Sequence, residues 1–193
     1  SLLSSPPNNI SYYLYCLTDT VVSKMANVYK LSSSPLVLGS TEIEVTDDIV
    51  LYAEVDVETT LKIASSNGHS YTLSKPSGTN DQRFFNIKAH GNLSLFNIKL
   101  TTGDVSGKAN GDGCSNNNGA AICLWHKSSV LFLRNVSFFN NTVGLGGFGG
   151  AIYAPRGYVE MYHVHAFFNW AQSGVVVDPF HICEDYVFND YNI

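Results

Sequence analysis

Two histidines stand in an arrangement that could bind a metal ion. His163 and His165 alternate along residues 158–166, a segment with strand character, so both side chains point to the same face. Imidazole pairs at this spacing can bind zinc or a related ion. The repeat described below, however, aligns His163 with a turn and His165 with an outward-facing serine. We therefore predict two structural histidines rather than a metal site.

Four aspartates could act as oxygen ligands or as acid–base groups. Asp104 and Asp112 belong to a polar loop at residues 101–118, where Asn-Gly-Asp-Gly at 110–113 is slightly similar to a calcium loop. The alternating acids and distal Glu of an EF-hand are missing from that loop. Asp47 and Asp48 stand in a turn before a strand, and no basic residue recurs at a matching repeat position. We expect all four to be solvated turn residues.

Motifs for nucleophilic catalysis and phosphate binding are missing from the sequence. It has no Gly-x-Ser-x-Gly elbow and no glycine-rich loop that ends in Lys-Ser/Thr. The glycine-rich run at residues 144–150 is predicted to be a corner between strands. The sequence thus predicts no catalytic, cofactor-binding or metal-binding residue, and a protein that is not an enzyme.

Four cysteines suggest disulfides. None forms a Cys-x-x-Cys pair or a Cys/His metal spacing. Cys114 and Cys123, close together in the sequence, would bridge the end of the polar loop to the following strand. Cys16 and Cys183 lie near opposite ends of the chain. They could join neighbouring copies head to tail, or pair within one chain if residues 1–34 run back along the body, because bridged Cα atoms lie within about 7 Å.

Four N-glycosylation sequons suggest an extracellular or cell-surface protein. Each follows the Asn-x-Ser/Thr rule, and the acceptors are Asn9, Asn92, Asn135 and Asn140. The even cysteine count agrees with an oxidising compartment. We therefore predict a secreted glycoprotein.

Composition and charge exclude two classes of partner. Charged residues make up 14% of the 193 residues and the net charge is −5, with no basic patch of note in the sequence, so a nucleic-acid partner is not expected. No run of about 18 or more apolar residues occurs, so no membrane span is expected.

The elements that position these residues come from an internal repeat. Segments 92–100, 130–138 and 158–166 are versions of one another, and they align Ile98 with Val136 and Val136 with Val164. Gly-Ala-Ala-Ile-Cys at 119–123 recurs in the same phase as Gly-Gly-Ala-Ile-Tyr at 149–153. These spacings fall within the period of about 20–50 residues that is typical of solenoids. Alternation of apolar and polar residues along the segments is typical of strands.

Equivalent positions of the repeat predict what packs and what turns. Leu95, Leu133 and Met161 should stack inside. Asn97, Asn135 and His163 share one turn position, where stacked amide side chains can form a hydrogen-bonded ladder. Segments 49–55 and 93–100 each read as a strand, the second with one slip in its alternation.

These motifs resemble the right-handed parallel β-helix repeats of the pectin-lyase-like superfamily, with the polymorphic outer-membrane-protein repeats as the closest type. Those repeats carry a Gly-Gly-Ala-Ile motif and a Phe-x-x-Asn motif. The second is matched at residues 138–141 and less well at 166–169, whereas residues 101–103 depart from it. The resemblance covers residues 36–177. It implies an all-β fold, a right-handed parallel β-helix of about five to six coils with N- and C-terminal caps.

An enzyme of this superfamily would need groups that the sequence does not offer. Pectate-lyase-like enzymes need clustered aspartates for Ca²⁺ and a basic residue as the base. Polygalacturonase-like hydrolases need three carboxylates, a histidine and Arg-x-Lys, and that last motif is absent here. The fold itself is shared by enzymes, adhesins and structural proteins, so it implies little about function.

We divide the chain into an N-terminal cap or extension (1–34), a parallel β-helix (35–177) and a C-terminal cap (178–193). The leading hypothesis is a secreted, non-enzymatic structural protein, a subunit that associates head to tail into an extracellular fibre or surface appendage. Residues 1–34, with Tyr12, Tyr13 and Tyr15, would reach the neighbouring subunit. One alternative is an adhesin or glycan-binding module that uses Trp125, Tyr153 and Trp170 on a lateral face, and a polysaccharide lyase or hydrolase is a further one.

Overall fold

The computed structural model describes residues 21–25, 36–38, 41–65, 68–78, 80–111, 113–171 and 186–189. Several predicted residues therefore lie outside the described part of the chain, and they are Asn9, Tyr12, Tyr13, Tyr15, Cys16, Asp112 and Cys183. The proposed pairing of Cys16 with Cys183 stays a prediction.

Short strands make up the regular structure of the described residues, as the alternating pattern and the many turn residues predicted. In chain order they are β1 (Val21–Met25), β2 (Leu36–Leu38), β3 (Thr41–Val45), β4 (Ile49–Val50), β5 (Val55–Val57), β6 (Thr60–Ser65), β7 (Tyr71–Ser74), β8 (Phe85–Ile87), β9 (Asn92–Phe96), β10 (Ile98–Thr101), β11 (Ile122–Leu124), β12 (Val130–Arg134), β13 (Ser137–Phe139), β14 (Ile152–Tyr153), β15 (Tyr158–Tyr162), β16 (Val164–Phe167) and β17 (Tyr186–Asn189).

The strands form three sheets in which every strand pair is parallel. Sheet A has the order β1-β3-β6-β9-β12-β15, sheet B the order β14-β11-β8-β5-β2, and sheet C the order β17-β16-β13-β10-β7-β4. From β2 to β16 the chain visits sheet B, then A, then C, and repeats that order. This all-parallel arrangement is compatible with a β-solenoid.

Residues that the sequence repeat aligns with one another are register partners in the sheets. Leu95 pairs with Leu133, and Leu133 with Met161, in sheet A. All three side chains are fully buried, as are Ile98, Val136 and Val164 of the adjoining corner and sheet. Identical positions of successive repeats therefore stack on one another in one continuous apolar core.

Two segments predicted as single strands are each two strands in different sheets. Segment 49–55 contains β4 of sheet C and the first residue of β5 of sheet B, and segment 93–100 contains most of β9 of sheet A and of β10 of sheet C. The prediction was wrong because alternation does not reveal a corner. The first segment turns through the connection 51–54, and the second turns at one residue with left-handed backbone geometry. Asn97 is that residue between β9 and β10, with φ of 54°.

In the last three described repeats, the corner from sheet A to sheet C uses the predicted turn position. Asn97, Asn135 and His163 have φ of 54°, 53° and 52°. Asparagine tolerates this left-handed region better than most residues. The side-chain nitrogen of Asn135 donates to the side-chain oxygen of Asn97 at 2.9 Å, which confirms the expected amide ladder between these two residues.

Two adjacent residues of β12 test the inward stacking. Leu133→Ala leaves a cavity in a fully buried layer, so we expect it to lower the free energy of unfolding by about 2–5 kcal/mol. Arg134→Ala is the matched control, since the Arg134 side chain is exposed and its loss should change stability by less than about 0.5 kcal/mol. Urea titration followed by circular dichroism measures both, and equal effects would contradict the assigned register.

Candidate functional surface

The long connections of the chain gather on one side of the molecule. Residues 51–54, 75–84, 102–121 and 140–151 each lead from sheet C to sheet B, and residues 168–171 follow the last of these sheet C strands in the same way. We call this the C-to-B side. Isolated bridges link its connections at Gln82, Asp104, Thr142 and Trp170. Among the exposed large apolar residues of the described chain, all but Tyr158 belong to this side, and they are Tyr52, Leu145, Phe148, Phe168 and Trp170.

Buried asparagines hold the corner where each connection leaves sheet C. The side-chain oxygen of Asn141 accepts from the backbone N–H of Gly103 at 2.9 Å, and that of Asn169 accepts from the N–H of Asn141 at 3.0 Å. Asn169 also donates to the carbonyl of Phe138 at 3.1 Å. Asn141 ends the Phe-x-x-Asn segment at 138–141, and Asn169 ends its weaker match at 166–169. Their role is to satisfy buried backbone groups, which would otherwise be costly to bury.

Glycines fix the second corner, just before sheet B. Gly119 and Gly149 have φ of 64° and 67°. A Cβ atom at these positions would lie 2.2 Å from the carbonyl oxygen of Ile122 and 2.1 Å from that of Ile152. The recurring Gly-x-Ala-Ile sequence is therefore a steric requirement of this corner, and not a sign of chemistry.

Arg83 fastens the longest connection to the body of the protein. Its side chain is fully buried, and its two terminal nitrogens donate to the carbonyl oxygens of Asn116 and Asn118 at 2.7 Å each. Its third nitrogen, Nε, pairs with Glu54 at 3.2 Å. The planar guanidinium can serve three acceptors at once. One arginine side chain thus binds two backbone carbonyls of connection 102–121.

Glu54 is the centre of a buried group of charges. Its carboxylate pairs with Arg83 and, at 2.9 Å, with the Lys108 ammonium of connection 102–121. Burial alone would raise the pKa of Glu54, but the charges of Arg83, Lys108 and Lys88 outweigh it and hold that pKa below its ordinary value. Burial likewise lowers the pKa of Arg83, with Glu54 opposing the shift.

Lys75 lies beside this group and is 3% exposed. Its Nζ donates to the carbonyl of Ala53 at 2.6 Å and lies 5.2 Å from the centre of the Phe84 ring. Burial lowers the pKa of Lys75 to about 7, although the Glu54 carboxylate pulls it upward. A large share of this amine is therefore uncharged near neutral pH.

The predicted disulfide fixes the end of the same connection. Cys114 is bonded to Cys123, with Cα atoms 5.6 Å apart. Cys123 lies in β11 and is the register partner of Tyr153 in β14, so the bond attaches the connection to the outer surface of sheet B.

A row of aromatic side chains crosses sheet B beside this disulfide. The Trp125 ring centre lies 6.0 Å from that of Tyr153, whose ring is 5.9 Å from that of Phe148, and both pairs are nearly parallel. The Arg156 guanidinium carbon lies 4.9 Å from the centre of the Trp125 ring. We call Phe148, Tyr153 and Trp125 the aromatic row. Two of the three aromatic residues predicted for a lateral face lie in it, while Trp170 belongs to the C-to-B side.

The two candidate histidines are two residues apart but belong to different elements. His163 occupies the corner from sheet A to sheet C, and His165 lies in β16 with its ring 6.1 Å from that of Phe167. No group of three or more His, Cys, Asp or Glu side chains that could hold a metal ion occurs among the described residues.

The described candidate aspartates accept hydrogen bonds from backbone N–H groups. Asp48 accepts from the N–H of Thr72 at 2.7 Å, and Asp47 accepts from the N–H of Asp48 at 3.2 Å. Asp104 accepts from the N–H of Ser106 at 2.8 Å. These are the contacts of residues that stabilise corners and turns.

Three of the predicted glycosylation acceptors lie on corners or at a strand end. Asn135 and Asn140 are exposed, with φ of 53° and 55°. Asn92 begins β9, and its side-chain oxygen is buried.

Sequence reasoning missed the buried charges around Glu54 and the arginine over Trp125. Arg83 falls at the repeat position that Ala120 occupies in the next repeat, because Phe85 pairs with Ile122. A large cation at a position otherwise filled by a small residue was the available signal. No comparable signal links Arg156 to Trp125, which are far apart in the sequence.

Comparison with known proteins gave no match among family models, curated proteins or solved structures. In the described chain, no helix has the length and hydrophobicity needed to cross a membrane.

Lys75→Met tests the buried amine through the pH dependence of stability. Lys75 has a pKa of about 7 in the folded protein and 10.5 as an ordinary lysine. Below pH 7 both states are protonated and the folded state bears the cost of a buried charge. Between pH 7 and 10.5 the unfolded state binds more protons, so this group makes the free energy of unfolding rise with pH, by on the order of 5 kcal/mol.

We therefore expect Lys75→Met to stabilise the protein most at pH 6, with an advantage over the wild type that shrinks toward pH 10. Urea denaturation at pH 6, 8 and 10 measures the difference. Lys99→Met is the control, because Lys99 is only half-buried, over the Phe139 ring on sheet C. Parallel wild-type and Lys75→Met curves would refute the buried neutral amine.

Glycan occupancy should follow exposure of the acceptor side chain. After secretion from a eukaryotic cell, we expect glycans at Asn135 and Asn140 and lower occupancy at Asn92, whose amide is partly enclosed. Peptide mapping by mass spectrometry measures occupancy, with Asn135→Gln and Asn140→Gln as controls for each assignment. Full occupancy at Asn92 would show that its side chain leaves the strand end.

Proposed function

We propose that this protein is a secreted, non-enzymatic structural protein that associates head to tail into an extracellular fibre or surface appendage. The observation that carries the proposal is the uniform parallel pairing of all three sheets. In such a stack the two ends differ, and the edge of one end is complementary to the edge of the other. A contact between unlike ends repeats without closing and generates a filament.

The proposal includes a finer description of the fold. The three sheets are the faces of a right-handed parallel β-helix of about five to six coils, related to the pectin-lyase-like superfamily. Residues 1–34 and 178–193 act at its two ends. This is supported by β1, which extends sheet A beyond β3, and by β17, which extends sheet C beyond β16. The Cys114–Cys123 disulfide supports an oxidising, extracellular environment.

The edge of sheet C gives a specific test. The backbone N–H of Leu51 donates to Ser74 of β7 at 2.8 Å. Backbone N–H groups alternate sides along a strand, so the N–H of Val50 points away from β7. Among the described strands β4 ends sheet C, and Val50 therefore offers its donor to an incoming strand.

Electron microscopy of the purified full chain should show filaments, and fibre diffraction should show a repeat of about 4.8 Å along their axis. Val50→Pro removes the outward donor and should raise the protein concentration needed for assembly about tenfold or more. Val50→Ala keeps the donor and should assemble as the wild type does. A monodisperse monomer at high concentration, with circular dichroism showing a folded chain, would refute the fibre.

Non-reducing gels address the covalent part of the proposal. If Cys16 and Cys183 join neighbouring copies, oxidised filaments give a ladder of multimers, which Cys16→Ser and Cys183→Ser each abolish. If the chain is monomeric on the gel although filaments are present, the disulfide between copies is refuted and non-covalent assembly is not.

A second candidate function is an adhesin or glycan-binding module. The observation that favours it is the aromatic row, since Trp125 and Tyr153 come from different repeats and lie together on the outside of sheet B. Binding of a monomeric chain to immobilised glycans, in the absence of filaments, would favour this function over the fibre.

A further inference from the structure

The outer surface of sheet A carries a column of aromatic side chains. Along β9, β12 and β15 buried residues alternate with residues that face outward. The ring centre of Phe132 lies 5.4 Å from that of Phe96 and 5.8 Å from that of Tyr162. The Nζ of Lys62 in β6 lies 5.6 Å from the centre of the Phe96 ring, and none of these four residues is buried. We call the outward side chains of β6, β9, β12 and β15 the sheet A face.

Charges of opposite sign stand at the two ends of the sheet A face. Lys62 lies at the β6 end, where it pairs with Glu42 of the neighbouring strand. Glu160 lies at the β15 end and accepts hydrogen bonds from the hydroxyls of Tyr158 and Tyr162, at 3.1 and 2.6 Å. Among the described residues no cation lies within ion-pair distance of Glu160. A cation that approaches from outside the sheet would therefore meet a carboxylate without a countercharge.

We propose that the sheet A face binds the same face of a second copy of this chain. The two copies lie face to face, with their sheets about 10 Å apart, and are related by a two-fold axis that runs along the strands between β9 and β12. Their strands then run in the same direction and their stacks in opposite directions. Under this symmetry β6 lies opposite β15 of the second copy, and β9 lies opposite β12. Each contact occurs twice, as in any isologous interface.

The central column of the sheet A face is complementary to itself under this symmetry. Strand register places four residues in this column, in the order Lys62, Ser94, Phe132 and Glu160. The axis sets Lys62 opposite Glu160 of the second copy, so the carboxylate without a countercharge meets a cation. It sets Ser94 opposite Phe132, so that a small side chain faces a large one.

The neighbouring column of the face is complementary as well. Its members are Ala64, Phe96, Arg134 and Tyr162. Ala64 lies opposite Tyr162 of the second copy, which again matches a small side chain with a large one. Arg134 is exposed and lies opposite Phe96, and a guanidinium over an aromatic ring is a favourable contact. Both columns therefore support the same axis.

Other two-fold arrangements of this face are less favourable. An axis along the stack, through the central column, sets Lys62 against Lys62 and Glu160 against Glu160. An axis on β12 sets Arg134 against Arg134, and an axis on β9 sets Glu160 against Glu42. An axis between β6 and β9 sets the Glu42 carboxylate against the Phe132 ring, whose face is negative. Because like charges suppress association, the axis between β9 and β12 is the one that the charges favour.

The sheet A face is small, so the dimer should be weak. Its four strands are five or six residues long and cover about 19 Å by about 17 Å. Interfaces at this end of the size range belong to transient complexes, and we expect a dissociation constant on the order of 10 µM. The contact uses a face of the stack rather than its ends, so it goes beyond the proposed fibre and does not depend on it.

The test uses the full chain with Val50→Pro, which suppresses contacts through the ends of the stack. It is produced in a bacterial periplasm, so that no glycan is added, because a glycan on Asn92 would stand at the margin of the sheet A face. Sedimentation equilibrium between about 1 and 200 µM should show a monomer in equilibrium with a dimer, with the dissociation constant given above.

Carbodiimide coupling identifies the contact, because it joins an amine to a carboxylate only where the two touch. Mass spectrometry of the coupled dimer should find a linkage between Lys62 and Glu160. Within one chain these residues are three strands apart, about 14 Å, so the linkage has to join two copies. The Lys62–Glu42 pair, at 2.7 Å, is the internal control, since it should be coupled in monomer and dimer alike.

Charge reversal tests the register of the two copies. Lys62→Glu and Glu160→Lys each set like charges against each other twice in the dimer, so each should weaken it at least about tenfold. The double variant restores opposite charges and should bring the dissociation constant back to within about threefold of the parent value. Lys99→Glu is the matched control, because Lys99 also lies over an aromatic ring, at 4.9 Å from that of Phe139, but on sheet C. It should change the dissociation constant by less than about twofold. Circular dichroism confirms that each variant is folded.

Three results would overturn the inference. A chain that stays monomeric up to about 200 µM refutes the sheet A contact, while filaments of the wild type would still support the fibre. Equal weakening by Lys62→Glu and Lys99→Glu would mean a general effect of charge. A dimer without the Lys62–Glu160 linkage, or without rescue in the double variant, would show that the copies meet elsewhere. Conversely, a Val50→Pro dimer with that linkage, together with a wild type that forms no filaments, would refute the fibre and support this contact.

Discussion

The constraint on which the rest of the structure depends is the stacking of each strand on its equivalent in the next repeat. Parallel neighbours lie about 4.8 Å apart in every sheet, so corners of equal length in successive repeats take the same backbone geometry. Asn97, Asn135 and His163 accordingly have almost identical φ values. Stacking also places equivalent positions of successive repeats directly beside one another, where two equal charges would repel. Opposite charges avoid this on the outside, as where Lys62 pairs with Glu42 of the neighbouring strand at 2.7 Å.

Stacking leaves one problem unsolved, which is the backbone at the corners. Groups there face the interior and do not all find a strand partner, and an unpaired buried group costs about 1–3 kcal/mol. Asn141 and Asn169 meet this need with amide side chains in two successive repeats. In the repeat before them Gly103 stands at the same corner, and connection 102–121 departs from the pattern. Arg83 then supplies the donors that the irregular connection requires, through Asn116 and Asn118.

The stacked core positions could be predicted from the sequence, whereas the corners could not. Inward residues recur with the repeat, so the alignment of Leu95, Leu133 and Met161 was confirmed in the register of sheet A. The Cys114–Cys123 bond was also within reach, because the two cysteines are only nine residues apart. The ends of the strands could not be predicted, since a single left-handed residue such as Asn97 turns the chain into another sheet without disturbing the alternation of apolar and polar residues on either side.

Side-chain contacts between different repeats on the outer surface could not be predicted from the sequence, for a different reason. Arg156 meets Trp125 because a corner of one repeat lies over a corner of another, and neither residue belongs to a recurring motif. The same holds for Glu54 and Lys108, which are 54 residues apart. Predicting them would require the exact length of each connection, because one added residue rotates the side chains that follow to the other face.

Outward positions are also where the repeats differ most. From β5 to β14 the outward column of sheet B contains Asp56, Asn86, Cys123 and Tyr153, so an acidic residue is followed by an amide, a disulfide and the aromatic row. Stacking in the core does not require any of these changes, since the neighbouring inward positions stay apolar throughout. Outward side chains that differ between repeats without any requirement from the core are therefore the positions to explain by contacts with other molecules.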